Sequence, residues 1–168
     1  LAINGWWLTY GLAAGVWALV PVSVVSLVLY GVMAWFYVRS VGRAALPGLA
    51  LGMFGLGMIP LPFLVIGGWE LAGVAVGLSY GVQLLPAVVA SLRTSVLSGV
   101  SSATWIIAFV EAGLWLVYGL GVGDIALTLA GVVGAAMASV ILVRLAITGH
   151  RPFVVLRPRR RLELASAG

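Results

Sequence analysis

Residues 102–147 read SATWIIAFVEAGLWLVYGLGVGDIALTLAGVVGAAMASVILVRLAI. Charge interrupts this run only at Glu111, Asp124 and Arg144. A membrane-crossing helix needs about 20 mostly apolar residues. Two such lengths fit here, 102–120 and 124–147, with Gly121, Val122 and Gly123 between them. The runs are far longer than the roughly 10-residue alternating segments of a barrel strand. They are read as two helices joined by a tight turn.

The same texture extends towards the N-terminus, where 17–39, 46–66 and 70–92 are again long enough to span or nearly so. Over all 168 residues 63% are hydrophobic and 8% charged, whereas a soluble domain carries roughly 25% charged residues. Such a chain cannot cover itself with polar surface, so lipid is its solvent. Backbone groups in lipid must be satisfied within the structure, which selects helices. The expected fold is an all-α integral membrane protein, a bundle of five to six transmembrane helices. The sixth is a short or interfacial helix over 5–20, where Trp6, Trp7 and Tyr10 suit an interfacial belt and Pro21 follows. Three regions result. Residues 1–66 hold the N-terminal helices, 67–148 a three-helix unit, and 149–168 a basic tail.

The charges orient this layout. All nine basic residues are arginines and the net charge is +5. Arg39 and Arg43 follow the 17–39 helix, Arg93 follows 70–92, and Arg144 with the tail closes the last helix. Glu70 and Asp124 fall in the alternate turns. The positive-inside rule makes the arginine side cytoplasmic, which predicts a multi-pass protein of the cell membrane with its C-terminus inside. Five helices put residue 17 outside; a sixth returns the N-terminus to the inside. The arginines are read as topology signals, and those of the tail as contacts for anionic lipid headgroups, rather than as a nucleic-acid surface.

Several chemistries are excluded. There is no cysteine, hence no disulfide, iron–sulfur cluster or thiol redox couple. The single histidine, His150, cannot build a bis-histidine haem site from this chain alone. No metal-ligand cluster, nucleophile–base pair or phosphate-binding glycine loop occurs. The expectation is a protein that is not an enzyme and has neither metal nor cofactor.

Glu111 stands out, because a charge near mid-span is costly unless paired, solvated or neutralised. Residues three and four apart share a helix face, so Thr104, Ala108, Glu111, Trp115 and Tyr118 form one stripe, expected to face the bundle interior. Three roles are open for Glu111: a protonatable coupling site, a ligand for a cationic or hydroxyl-rich substrate, or a structural acid that is hydrogen-bonded or paired with another chain. Ser79, Gln83, Pro86 and Ala90 form a second stripe on 70–92. Pro86, Pro60 and Pro62 each remove a backbone donor and are candidate hinges. Trp115 is either a stacking platform or an interfacial anchor; Trp105 and Trp69 look like anchors. Helix seams are expected at Gly48 and Gly52, Gly131 and Ala135, and Gly134 and Ala138, where small residues let backbones approach.

Residues 78–147 resemble the SWEET and SemiSWEET sugar transporters of the MtN3/saliva, or PQ-loop, group. The stretch LSYGVQLLPAVVASLRTSVLSGVSSATW (78–105) looks like that family's first helix and following loop, with Pro86, Arg93, Ser98, Gly99 and Ser101 in the places of its proline, basic residue and serine–glycine turn. LWLVYGLGVGDIALTLAGVVG (114–134) looks like the second helix, turn and third helix. Ala87 replaces the glutamine of the proline–glutamine pair. Gly131 stands where the family has a sugar-contacting asparagine, and Trp115 matches the facing tryptophan. The resemblance implies two three-helix units joined by a linker helix, here 46–66. The 17–39 helix would end the first unit and Trp6–Val20 would be a remnant of the helix before it, so the pore would need another chain or an N-terminal part.

Two functions follow as expectations. The first is a SWEET/PQ-loop-like transporter of small solutes, sugars or amino-acid-type molecules, working by alternating access. Trp115, Glu111, Gln83 and Tyr118 would line its site. The alternative is a non-catalytic transmembrane subunit that scaffolds a larger membrane complex and binds lipids or pigments. Besides the bilayer itself, the expected partners are further copies of the chain or other membrane subunits.

Overall fold

The computed structural model describes residues 1–94 and 100–148. The arginine-rich tail, with its expected headgroup contacts, lies outside the described residues, as do Ser98 and Gly99 of the serine-rich loop. The described residues form helices and no strand. They are α1 (Ala2–Ala13), α2 (Leu19–Val41), a short 3-10 turn (Arg43–Ala45), α3 (Leu46–Met58), α4 (Pro60–Arg93), α5 (Ser102–Val122) and α6 (Ile125–Ile147). Among the described residues four stretches are long and apolar enough to cross a membrane: Leu19–Val41, the 51-residue stretch Arg43–Arg93, Ser102–Val122 and Ile125–Ile147. This is the all-α architecture of a multi-pass membrane protein.

Helix ends fall where the backbone chemistry requires them. Within α4 only Gly67 (φ −135°, ψ 20°) and Gly68 (φ 63°, ψ −158°) leave helical geometry, and they divide the helix into two arms. The conformation of Gly68 is one that a Cβ would strain, so glycine is needed there. At the other turn Gly123 takes the left-handed conformation (φ 71°) that ends α5. Asp124 then caps α6, its Oδ1 accepting the Leu127 N–H at 2.9 Å. Both turns fall between apolar runs read from the sequence, 46–66 and 70–92 for the first and 102–120 and 124–147 for the second.

The prolines mark a helix boundary more than a bend: the apolar run 46–66 is divided where α3 ends at Met58 and Pro60 opens α4. Pro60 stands at the first position of α4 and Pro62 in its first turn, where a missing N–H leaves no helical bond unmade. Ile59 between α3 and α4 keeps helical dihedrals (φ −54°, ψ −47°). Pro86 sits inside α4 without a local departure from helical geometry. The sharp change of direction therefore occurs at the glycine pair.

Helix α6 lies between α4 and α5 and packs on both. Leu127, Gly131, Gly134, Ala138, Ile141 and Leu145 are all buried on it. They recur at alternating steps of four and three, the spacing of a helix seam. A Cβ on Gly131 would stand 2.5 Å from the Leu116 nitrogen of α5, and one on Gly77 of α4 would stand 2.6 Å from the Ala126 carbonyl oxygen of α6. Backbone contact this close replaces the hydrophobic drive that lipid does not supply. The asparagine that the resemblance places at Gly131 has no room here. The seam expected at Gly48 and Gly52 is not formed, since a Cβ added to either would meet nothing within 4 Å among the described residues.

The N-terminal stretch differs from a single helix over 5–20. Helix α1 stops at Ala13, Gly15 turns the chain with φ 73°, and α2 starts at Leu19. The twelve residues of α1 are too few to cross a bilayer. Instead α1 is the bridge of the fold, packing on α2, α3 and α4. The Trp6 indole N–H donates to the Gly57 carbonyl of α3 at 2.8 Å, and the Trp6 ring meets Trp69 edge-on at 6.4 Å. Helix α2 buries only Leu19 and Ser23, and α3 buries no side chain.

Candidate functional site

The two helix groups, α1–α2–α3 and α4–α6–α5, leave a cavity of about 140 Å³ between them. Helix α4 contributes Tyr80 and Gln83, and α5 contributes Glu111 and Trp115. Helix α1 adds Asn4 and Trp7, and α2 adds Ser23, Ser26 and Tyr30. Leu127 and Ala130 of α6 form part of the wall. Three of the four side chains expected to form a site, Glu111, Gln83 and Trp115, thus border one space although they come from separate helices. The fourth, Tyr118, is not in the wall; its ring meets Trp115 edge-on with centroids 6.1 Å apart.

The geometry explains this partition. Helix α5 turns Ala112 and Gly119 towards α6. The stripe with Glu111 and Trp115 is rotated off that seam and faces the neighbouring helix group. Glu111 is accordingly exposed by area while it borders the cavity between the helix groups. The second stripe also divides. Ser79 is buried and its hydroxyl donates to the Val76 carbonyl at 2.8 Å, whereas Gln83 reaches the cavity. The amide nitrogen of Gln83 is buried and has no hydrogen-bond partner among the described residues. Trp105 is not a free anchor: it packs against a cluster of Val88, Ile141 and Leu145.

Six polar or aromatic wall residues fall outside the expected site: Asn4, Trp7, Ser23, Ser26, Tyr30 and Tyr80. Helical spacing holds the signal for all of them. Asn4 and Trp7 are one turn apart, Ser23, Ser26 and Tyr30 follow the i, i+3, i+7 pattern, and Tyr80 precedes Gln83 by one turn. Single hydroxyls are common in apolar helices, so the pattern stands out only once the facing helices are in place.

One end of the cavity abuts a packed cluster. Tyr10, Leu19, Ala126 and Leu127 form a buried cluster against which Trp7, Val16 and Trp115 pack. The Tyr10 hydroxyl donates to Asp124 Oδ2 at 2.8 Å, tying the end of α1 to the start of α6. Burial and then the adjoining Asp124 carboxylate push the Tyr10 phenol well above the usual tyrosine range, so it stays protonated and able to donate. In the opposite direction lies a second, more open cavity of about 430 Å³. Ile3, Tyr30 and Gln83 border both spaces, and Met33, Tyr37, Gly48 and Gly52 lead from them towards the arginine-bearing helix ends. There Arg144 clamps α6 to α4, donating from Nε to the Ser91 carbonyl at 3.2 Å and from Nη2 to the Thr94 carbonyl at 3.3 Å.

No family model matches this chain, and no curated protein or solved structure does so either. The chemistry must therefore be read from the side chains. One carboxylate, two amides, several hydroxyls and four aromatic rings around a small space suit reversible binding of a small polar molecule. Among the described residues no group of three histidine, cysteine, aspartate or glutamate side chains is placed to hold a metal ion.

Proposed function

We propose that this chain is a SWEET/PQ-loop-like transporter of small solutes that works by alternating access, in the cell membrane and with its arginine-bearing helix ends in the cytoplasm. The observation that carries this reading is the cavity between the two helix groups, which gathers Glu111, Gln83 and Trp115 with the polar residues of α1 and α2. Binding sites at the interface of two repeated helix units are where transporters hold their cargo. On this reading the packed end towards Asp124 and the more open cavity towards the arginines would be one of the two states that alternating access needs. On this reading Gly67 and Gly68 form an outward turn between two spans, giving five spans with α1 as a partial sixth. The small cavity favours solutes of few heavy atoms, and Gly131 leaves no place for the family's sugar-contacting asparagine.

Uptake into proteoliposomes of radiolabelled sugars, amino acids and amines, with and without a pH gradient, tests the proposal. Counterflow of at least one solute, abolished when the cavity is filled by Ser26→Trp, is expected. A folded protein that moves none of them refutes transport.

A second reading has its own observation. Helix α3 buries no side chain, and the exposed apolar face of α2 includes Val28, Trp35 and Phe36. These faces suit lipid equally well or another membrane subunit, as expected of a scaffolding protein. Purification in a mild detergent separates the two, since a scaffold retains stoichiometric partner subunits and a transporter is recovered as this chain alone.

A further inference from the structure

The central cavity is electrically unbalanced. Glu111 is the one acidic side chain in its wall, and no arginine lines it among the described residues. Two of the described arginines are engaged elsewhere: Arg144 with the Ser91 and Thr94 carbonyls, and Arg39 over the Trp35 ring at 5.2 Å. A carboxylate between membrane helices is costly unless something compensates its charge. The Gln83 amide nitrogen, buried without a partner among the described residues, lacks an acceptor at the same site. The rings of Trp7, Trp115, Tyr30 and Tyr80 surround the space, and aromatic faces attract cations, most strongly where water is excluded.

These three features describe one complementary ligand. The carboxylate calls for a positive charge, the orphaned amide for an acceptor oxygen, and the rings for a weakly hydrated cation. We propose that the cavity is selective for small monocations with one ammonium group and a neutral acceptor oxygen close by, such as amino amides and amino alcohols. A zwitterionic amino acid leaves the site with its net negative charge and brings a second carboxylate that finds no arginine. A sugar satisfies Gln83 but leaves Glu111 uncompensated. The order of preference is therefore amino amide or amino alcohol, then zwitterion, then polyol. This rests on the transport reading only for the cavity being reachable by solute; the binding selectivity itself does not depend on translocation.

The test measures binding and transport separately on the full chain. Alaninamide, ethanolamine, alanine, propylamine and glucose are titrated against detergent-purified protein by calorimetry, and the same solutes are followed into proteoliposomes. Alaninamide is expected to bind more tightly than alanine or glucose. Glu111→Gln keeps the shape and removes the charge, and is expected to weaken alaninamide binding by about tenfold to a hundredfold, the usual effect of losing a hydrogen bond to a charged group. Gln83→Leu is expected to abolish the preference for alaninamide over propylamine, which lacks the acceptor. Selective binding without uptake upholds the selectivity and refutes transport. Uptake of glucose or alanine with no preference for alaninamide upholds transport and overturns the selectivity. Alaninamide affinity unchanged by Glu111→Gln overturns it as well.

Discussion

Replacing Tyr10 by phenylalanine removes one oxygen from the contact between α1 and α6. The ring remains, edge-on to Trp7 at 5.9 Å, so the packing of the contact is kept and a single hydrogen bond is lost. That bond is 2.8 Å long and partly buried, and its acceptor is a carboxylate. Hydrogen bonds to charged groups contribute about 1.5–3 kcal/mol in proteins, but those between membrane helices average about 0.6 and reach about 1.7 kcal/mol. A contribution of about 1 kcal/mol, within the membrane-helix range because the bond is only partly buried, shifts a two-state equilibrium about fivefold. Asp124→Ala removes the same bond and also the cap on the Leu127 N–H, so it costs about 1 kcal/mol more in unfolding stability. The absence of cysteine makes the assay direct. Ser26→Cys places one thiol in the cavity wall, and a membrane-impermeant maleimide added from the side of Asp124 reports its exposure. Tyr10→Phe is expected to raise the labelling rate about fivefold, and Asp124→Ala at least as much. If the labelling rate is the same with tyrosine and phenylalanine at position 10 in a folded protein, the Tyr10–Asp124 bond does not hold the cavity shut.

Two substitutions probe the frame that carries the site. Gly131→Ala forces a methyl to within 2.5 Å of the Leu116 nitrogen, so α5 and α6 must part; a loss of about 1–3 kcal/mol is expected in denaturant titration in detergent. Gly113→Ala, with open space around it, serves as control and is expected to be neutral or stabilising by up to about 1 kcal/mol. Gly68→Ala puts a side chain at φ 63°, ψ −158°, a strain of about 1–3 kcal/mol, and its melting temperature is expected to fall while an alanine at Gly55, in open space within α3, leaves it unchanged.

Helices α5 and α6 and the turn between them were legible because each is a local requirement. A chain in lipid must satisfy its own backbone along every apolar run, so length and composition alone delimit 102–120 and 124–147 to within a few residues of α5 and α6. The turns near Gly67–Gly68 and Gly123 were legible as short breaks between apolar runs; that Gly68 and Gly123 take positive φ and that Asp124 caps α6 was decided by the structure. The seam of α6 was partly legible for the same reason, since Gly131, Gly134 and Ala138 repeat along one face.

What only the tertiary structure decided is which faces meet. Gly48 and Gly52 have the spacing of a seam, yet no described helix packs closely on them, because a small-residue pattern permits close approach without choosing a partner. The bridging role of α1 had no local signature; it depends on Trp6 reaching Gly57 and Tyr10 reaching Asp124, across 51 and 114 residues of chain. The site shows the same division. Glu111, Trp115 and Gln83 were visible as polar groups that lipid does not tolerate without cause. Their meeting with Tyr30, Ser26 and Trp7 in one cavity was not visible, because periodicity places a residue on a helix face, and only packing determines what that face looks upon.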